Sequence, residues 1–419
     1  MSLIRRPSPP LPATHYLDNR IFTDPEIFAL ERSMIFEKVW NFVCHESELP
    51  EAGSYRSVEV AGHPLVITRD QDMQLHAIHN ACPHRGQRLV RAVRGRSPSL
   101  QCFYHLWNFA LDGRLRQTMR PQGYEGTSFD RSDHCIPAVR VASIHGLVFV
   151  CLDDETESLE DFLGPAAKHF EKTLGSEPME VFFFHRALFK TNWKLWNDNN
   201  SELYHEYMHY LNRNTNLKGT SFFDRQWKMY RNGHNGVAEA EVAYEAGGLG
   251  NREAHLLPGT RPNGFSLTNL FPDTVVNCRS TVIRMDRMVP MAPGLTLVEW
   301  RGIGVKDEPA EIRAMREQHF TEIWGPCGRN ITEDQIAVET QWASMASQAA
   351  PYTILAREEG MRPMDDCNLR AYYQEWGRRM GRSAHAPFAT GQAPNAGTMQ
   401  GGATQGGARP TVPLTATET

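Results

Sequence analysis

Two short clusters of cysteine and histidine constrain this chain more than any other feature. Cys82 and His84 are one residue apart, and Cys102 and His105 follow after seventeen intervening residues. Each cluster is expected on a turn between short strands, where two thiolates and two imidazoles can meet at one point. A zinc ion could accept these four ligands. The alternative is a [2Fe-2S] cluster with the cysteines on one iron and the histidines on the other.

The spacing of the four ligands favours the cluster. Cys-x-His followed by Cys-x-x-His, with Arg85-Gly86 after the first histidine, is a poor match to zinc-finger spacings. It closely resembles the Rieske motif, which makes four residues the expected ligands of a [2Fe-2S] cluster: Cys82, His84, Cys102 and His105.

Three neighbouring residues refine this resemblance. Gln87 and Tyr104 occupy positions where membrane-complex Rieske proteins have an additional disulfide, so the motif is closer to the soluble ferredoxin and oxygenase branch. Leu106 stands where many oxygenases have glycine, a difference that leaves the four ligands unchanged.

Five arginines follow the first ligand loop and precede the second: Arg85, Arg88, Arg91, Arg94 and Arg96. Such a run is often only a solvated face. The alternative is an electropositive docking area for an acidic electron donor, because complementary charge steers weak redox encounters.

A second group of candidate ligands begins with the run HEYMH, residues 205–209, which matches a zinc-peptidase pattern. The extended version of that pattern needs glycine at position 212 and histidine at 215, but Asn212 and Thr215 stand there. A downstream glutamate ligand is harder to exclude. The neighbouring residues therefore have to decide the chemistry.

The four residues Asp198, Glu202, His205 and His209 are separated by four, three and four positions. This spacing predicts one helix that carries all four on a single face. Two carboxylates and two imidazoles buried together are costly unless a cation pairs with them. The stripe therefore predicts a metal site.

The stretch from Asn192-Trp193-Lys194 to Tyr204-His205 resembles the large α subunit of Rieske non-heme iron oxygenases almost position by position. In that family two histidines and one carboxylate bind Fe(II) and leave open positions for dioxygen and substrate. The resemblance implies His205 and His209 as ligands. It places the third ligand at Asp334 in a late helix, with Glu333 the less favoured neighbour.

The family also implies roles for residues beside the iron. Glu202 occupies the position of a carboxylate that joins His205 to the Rieske histidine, here His105, of another subunit. Asn199 matches a residue that borders the active site. Most members have four residues between the two histidines and this chain has three, which leaves Glu206 without a role and expected to point away from iron as a solvated or salt-bridged side chain.

Hydrophobic patterning predicts an α+β fold in which a β-rich Rieske domain precedes a catalytic domain with an antiparallel sheet flanked by helices. We expect four parts: an N-terminal arm and helix at 1–39, the Rieske domain at 40–155, the catalytic domain at 156–383 and a disordered tail at 384–419. The tail is rich in Gly, Ala, Thr and Pro and cannot bury a core.

Composition argues against several partners. The formal net charge of −5 gives no basic field for nucleic acid, and no apolar run reaches the length of a membrane span. The eight cysteines are scattered, which favours free thiols in a reducing cytoplasm over a disulfide framework.

The resemblance implies a terminal oxygenase with one [2Fe-2S] cluster and one mononuclear Fe(II) per chain. NADH electrons would arrive through a reductase, with or without a ferredoxin, in an α3 or α3β3 assembly. We expect cis-dihydroxylation of an aromatic carboxylate such as benzoate, anthranilate, salicylate or terephthalate. The alternatives are O- or N-demethylation, a zinc hydrolase using Glu206, and an electron carrier with the Rieske centre alone.

Overall fold

The computed structural model describes residues 11–210, 217–218, 223–241, 243–244 and 255–385. The first ten residues of the predicted arm and residues 386–419 of the predicted tail lie outside the described residues. Residues 1–386 form one compact unit, so contacts between the parts described below are contacts within a single body.

The N-terminal segment contains strand β1 (Tyr16–Asp18) and helices α1 (Arg20–Thr23) and α2 (Pro25–Met34). Asp24 caps α2 by accepting the backbone N–H groups of Glu26 and Ile27, which otherwise lack helical partners. Helix α2 lies within the predicted N-terminal part at 1–39 and ends at Met34. Ile35 is buried and forms the C-cap of the helix, and a separate 3-10 turn follows.

The β-rich domain is built on a seven-stranded antiparallel sheet in the order β2-β11-β10-β5-β4-β3-β6. A small sheet, β7-β8-β9, carries the second cysteine–histidine loop at its edge. The strands are β2 (Asn41–His45), β3 (Ser54–Val60), β4 (His63–Arg69), β5 (Leu75–His79), β6 (Arg94–Arg96), β7 (Leu100–Gln101), β8 (Asn108–Phe109), β9 (Leu115–Gln117), β10 (Ala138–Ile144) and β11 (Leu147–Cys151).

The second part is built on another seven-stranded antiparallel sheet, in the order β12-β20-β19-β18-β17-β15-β14. Its strands, with the short pair β13 and β16, are β12 (Met179–Phe189), β13 (Leu217–Lys218), β14 (Trp227–Met229), β15 (Asn235–Glu241), β16 (Ala243–Tyr244), β17 (Gly264–Leu270), β18 (Thr274–Arg279), β19 (Val282–Ala292) and β20 (Leu295–Val305). Strands β17 and β18 are separated at Pro272, which has no N–H to donate to a sheet, and the chain turns there.

Helices flank this second sheet, as the α+β prediction requires. They are α3 (Leu159–Leu163), α4 (Lys168–Leu174), α5 (Trp193–Ser201), α6 (Ala310–Trp324), α7 (Arg329–Ala346) and α8 (Cys367–Met380). Strand β21 (Tyr352–Ile354) pairs with β1 and returns the chain to the N-terminal segment. Among the described residues, no helix combines the length and apolar character needed to cross a bilayer.

Helix α5, which leads into the predicted iron site, is anchored by a buried carboxylate on α2. Glu31 accepts the Lys194 ammonium at 2.6 Å and the indole N–H groups of Trp193 and Trp376 at 2.9 and 2.8 Å. Asn192 caps the start of α5 by accepting the Lys194 backbone N–H. This network explains the Asn-Trp-Lys part of the sequence motif as a structural anchor.

The two sheets meet through a second buried ion network. Glu48 pairs with Arg56 of β3 at 2.6 Å and with Arg301 of β20 at 2.7 Å, and all three side chains are at most 5% exposed. Burial opposes ionisation of Glu48, but the two guanidinium groups outweigh it and lower the pKa of this carboxyl. Glu48 therefore compensates charge on both sides of the contact.

Replacing Glu48 with glutamine should destabilise the fold strongly, because Arg56 and Arg301 would stay buried without their anion. We expect a loss of about 3–5 kcal/mol in the free energy of unfolding, measured by urea denaturation of the holoprotein. Glu51→Gln is the matched control, since Glu51 pairs with Arg96 at the surface and should cost less than about 1 kcal/mol. Equal losses in both variants would contradict the assignment.

Candidate metal centres and active site

The two cysteine–histidine loops have the same backbone geometry. The Cys82 N–H donates to the carbonyl five residues later, and the Cys82 carbonyl accepts the N–H of Gly86, both at 2.8 Å. Cys102 repeats these two bonds at 2.8 and 2.9 Å, with Leu106 in the place of Gly86. The backbones of the two loops therefore form equivalent turns.

Leu106 adopts the conformation that glycine favours. Its φ is 57°, close to the 72° of Gly86 in the equivalent loop. A left-handed backbone costs a residue with a Cβ free energy that glycine does not pay. This gives a physical reason for the glycine that the sequence comparison expected at Leu106.

The two histidines of the predicted cluster are in contact, and the two cysteines belong to one buried group of side chains. The rings of His84 and His105 are 4.5 Å apart between centroids, and His84 stacks on Trp107 at 4.7 Å. Cys82 and Cys102 are buried free thiols. His84 Nδ1 is buried without a hydrogen-bond partner among the described residues. Two thiols and two imidazoles gathered with an unsatisfied nitrogen fit a shared iron–sulfur cluster.

All five arginines between the loops are exposed. Arg91 lies over the ring of Phe103, 4.6 Å from its centroid, and Arg96 pairs with Glu51. This exposure suits both interpretations of the basic run, the solvated face and the docking area.

The predicted single helix through His209 is wrong. Helix α5 ends at Ser201, and Glu202 has extended backbone angles (φ −112°, ψ 155°). A 3-10 helix then covers Tyr204–Tyr207. Residues 197–201 are Asn, Asp, Asn, Asn and Ser, which are weak helix formers, and the Glu202 carboxylate accepts the backbone N–H groups of Tyr204 and His205 beyond the break.

The break separates the predicted stripe into two environments. Asp198 is partly buried and accepts the Tyr373 hydroxyl at 2.6 Å, and desolvation of its carboxyl raises the pKa of this group to about 7. It is absent from the group of metal-binding side chains found in the described residues. That group consists of His205, His209 and Asp334, whose candidate ligand atoms all lie within 4.8 Å of one another.

Each imidazole is held by a carboxylate on its Nδ1 side. Glu202 contacts His205 Nδ1 at 2.7 Å, and Glu333 contacts His209 Nδ1 at 2.7 Å. Both Nε2 atoms are 3.5 Å from Asp334 Oδ1. Glu333, considered from sequence as a lesser ligand candidate, thus occupies an orienting position that the sequence argument missed. Glu333 directly precedes Asp334 on the same helical turn, and this position was the sequence signal that could have indicated its orienting role.

The electrostatics of the site favour a cation. Burial opposes a charge on His205, but Glu202 and Asp334 outweigh it and raise the pKa of this imidazole to about 10. Burial also raises the pKa of Asp334, although the two histidines partly offset the rise. A site that attracts a proton so strongly between two imidazoles and a carboxylate suits a divalent metal ion.

Two further predicted residues can be placed. Asn199 lies beside the group, with its Nδ2 3.4 Å from Asp334 Oδ1. Glu206 is outside the group, as expected, but it is 8% exposed and has a partner, so the solvated interpretation is wrong.

Comparisons with known proteins identify the family. Residues 39–130 match the Rieske [2Fe-2S] domain, and residues 159–381 match the ring hydroxylating alpha subunit catalytic domain. The chain belongs to the Rieske ring-hydroxylating oxygenases. This oxygenase therefore has a Rieske [2Fe-2S] domain and a catalytic domain that binds mononuclear iron, and members of its family receive electrons from a reductase.

Two curated relatives span nearly the whole oxygenase. The 2-aminobenzenesulfonate 2,3-dioxygenase subunit alpha of Alcaligenes sp. is 42% identical over 376 residues, 89% of this chain and 95% of that protein. The methanesulfonate monooxygenase hydroxylase subunit alpha of Methylosulfonomonas methylovora is 36% identical, with 92% and 96% covered. A crystal structure of naphthalene 1,2-dioxygenase from Rhodococcus sp. shares the fold, with a TM-score of 0.77, 22% identity and 87% and 94% coverage.

Removing a side chain of the histidine–carboxylate group should release the mononuclear iron and keep the cluster. We expect His205→Ala and Asp334→Ala each to lose about one iron per chain, since three protein ligands hold such an ion. Metal analysis and the visible absorption of the cluster measure the two centres separately. His76→Ala, which removes an imidazole paired with Asp70 outside both sites, should retain all iron; full iron in the first two variants would refute the site.

Proposed function

We propose that this oxygenase is a terminal α subunit that uses dioxygen to hydroxylate a small organic acid, an arenesulfonate or arenecarboxylate. The observation that carries the reaction class is the meeting of His205, His209 and Asp334 at one point, with both imidazoles fixed from behind. The relatives acting on 2-aminobenzenesulfonate and methanesulfonate support an acid as the substrate.

In this proposal His205, His209 and Asp334 bind the iron through two Nε2 atoms and a carboxylate oxygen. Glu202 and Glu333 hold the opposite nitrogens and so fix the tautomer and the orientation of each ring. Bound iron supplies the activation of dioxygen next to the substrate. Asn199, which contacts Asp334, borders the substrate space.

Cys82 and Cys102 bind one iron of the cluster, and His84 and His105 bind the other. Residues 40–155 and 156–383 are the corresponding proposed domains.

Electrons pass between subunits in this proposal. Phe103, Tyr104 and Leu106 around His105 are exposed, and so are Tyr204, Tyr207 and Tyr210 around the histidines of the iron site. These two apolar patches, one at each centre, would be covered if Glu202 met His105 of a neighbouring copy. Large exposed aromatic patches are typical of such contacts. In a closed ring of three chains, α3 or α3β3, a neighbouring chain would cover both patches on every copy.

Within this reaction class, the enzyme could insert two oxygen atoms or one into its substrate. Dihydroxylation agrees with the relative that is a dioxygenase, and monooxygenation agrees with the methanesulfonate relative. Both reactions use the same proposed ligand set.

Glu202→Gln and Glu333→Gln form a matched pair of variants that tests the electron route. Each should weaken iron binding by roughly 10- to 100-fold, because each carboxylate orients a ligand histidine. With iron saturating, only Glu202→Gln should slow reoxidation of the reduced cluster by dioxygen and substrate in stopped-flow absorbance. Equal slowing by Glu333→Gln, or none by Glu202→Gln, would exclude the bridging role.

Product analysis tests the proposed substrate class directly. The reduced holoenzyme is given ¹⁸O₂ for one turnover with 2-aminobenzenesulfonate, methanesulfonate, anthranilate or toluene, and products are identified by mass spectrometry. We expect labelled product from at least one acid, with two labelled oxygens for dioxygenation or one for monooxygenation. Product from toluene alone would contradict an acid substrate.

A further inference from the structure

The side of the second sheet that faces α5 carries a buried arginine. Arg284 of β19 is 4% exposed, and the Trp324 ring lies over its guanidinium, with the centroid 5.3 Å away. Its Nη2 donates to Asn200 Oδ1. Asn200 follows Asn199, which contacts Asp334, so one turn of α5 touches both the arginine and the histidine–carboxylate group.

Asp286 and Asn200 hold two of the guanidinium nitrogens of Arg284. Asp286 Oδ1 is 2.8 Å from Nε, which makes an ion pair, and Nη2 donates to Asn200 Oδ1. The ion pair is not an aligned hydrogen bond, since Nε and both Asp286 oxygens are buried without a hydrogen-bond partner among the described residues.

Neighbours on the same face share this lack of partners. Asn277 is directly opposite Arg284, Trp300 is opposite Asp286, and His185 is opposite Trp300. Within the described part of the chain, Asn277 Oδ1, Trp300 Nε1 and both ring nitrogens of His185 are buried without hydrogen-bond partners. Buried polar atoms normally have partners, so their concentration here indicates the position of a polar ligand group.

We propose that Arg284 binds the acid group of the substrate and sets the preference of this oxygenase for anions, a proposal that rests on the function proposed above. A guanidinium offers two parallel N–H groups that match the oxygens of a carboxylate or sulfonate. Asp286 holds Nε and Asn200 accepts one N–H of Nη2, and in this proposal the remaining N–H groups of the two Nη atoms receive the acid. The carbon skeleton then extends toward His205, His209 and Asp334.

The test compares acids with neutral molecules of the same shape. Wild-type holoenzyme, Arg284→Met and Arg284→Lys are assayed with benzenesulfonate against benzenesulfonamide, and with benzoate against benzamide. Product formation gives KM and kcat separately for each. The two pairs distinguish a site for sulfonates from a site for carboxylates.

For the preferred acid, Arg284→Met should raise KM by roughly 10- to 100-fold, as expected for the loss of hydrogen bonds to a charged group. The KM of its neutral amide should stay within about twofold on the same basis. Arg284→Lys keeps the charge without the paired N–H groups and should fall between the two. Iron content and cluster absorption show that each variant is folded, and Arg284→Lys retains the test if Arg284→Met does not fold.

Two results overturn the assignment and remain distinguishable. An unchanged KM for the acid in Arg284→Met, or an equal change for acid and amide, shows that Arg284 does not read the acid group, while acid oxidation by the wild type still supports the proposed function. Absence of any oxidised acid from the wild type, in protein with full iron and an intact cluster, rejects the proposed function and the role of Arg284 together.

Discussion

The carboxylate of Glu31 is the contact on which the geometry of the iron site depends. It lies on the N-terminal helix, far in sequence from the catalytic residues, yet it receives an ammonium and two indole N–H groups from α5 and α8. Such a buried ion pair is stable only when every lone pair and proton is matched. These hydrogen bonds fix α5, whose last turn then presents Asn199 and Asn200, with Glu202 directly after the helix.

From that turn onward the site is organised by carboxylates acting on imidazoles. Glu202 and Glu333 each hold one Nδ1, so both Nε2 atoms face the same oxygen of Asp334. The three side chains come from two separate segments of the chain, one following α5 and one on α7. The surplus of negative charge around these two imidazoles makes a bound cation the state that removes the electrostatic cost.

The sequence predicted which side chains meet better than it predicted the path of the backbone. The loops that contain Cys82, His84, Cys102 and His105 were recognisable because residue type and spacing are local properties, and Asp334 because the family resemblance extends into its helix. The helix through His209 was wrong because spacing alone cannot detect a cap. Glu202 satisfies two backbone N–H groups and ends helical continuity, although the intended side chains still meet through a 3-10 turn.

Contacts between distant segments were also beyond the sequence argument. The links of Glu31 to Trp376, of Glu48 to Arg301, and of Arg284 to Asn200 join residues that no local pattern relates. Single buried charges such as these depend on which elements pack together. Their compensation became visible only with the fold.

Two metal centres are proposed for one chain: a histidine-ligated [2Fe-2S] cluster and a mononuclear iron held by His205, His209 and Asp334. Metal analysis combined with low-temperature EPR of the anaerobically reduced protein detects both. We expect iron at both centres and a reduced-cluster signal with the low average g value of a Rieske centre. Zinc at the histidine–carboxylate site, or no cluster signal from intact protein, would contradict this expectation.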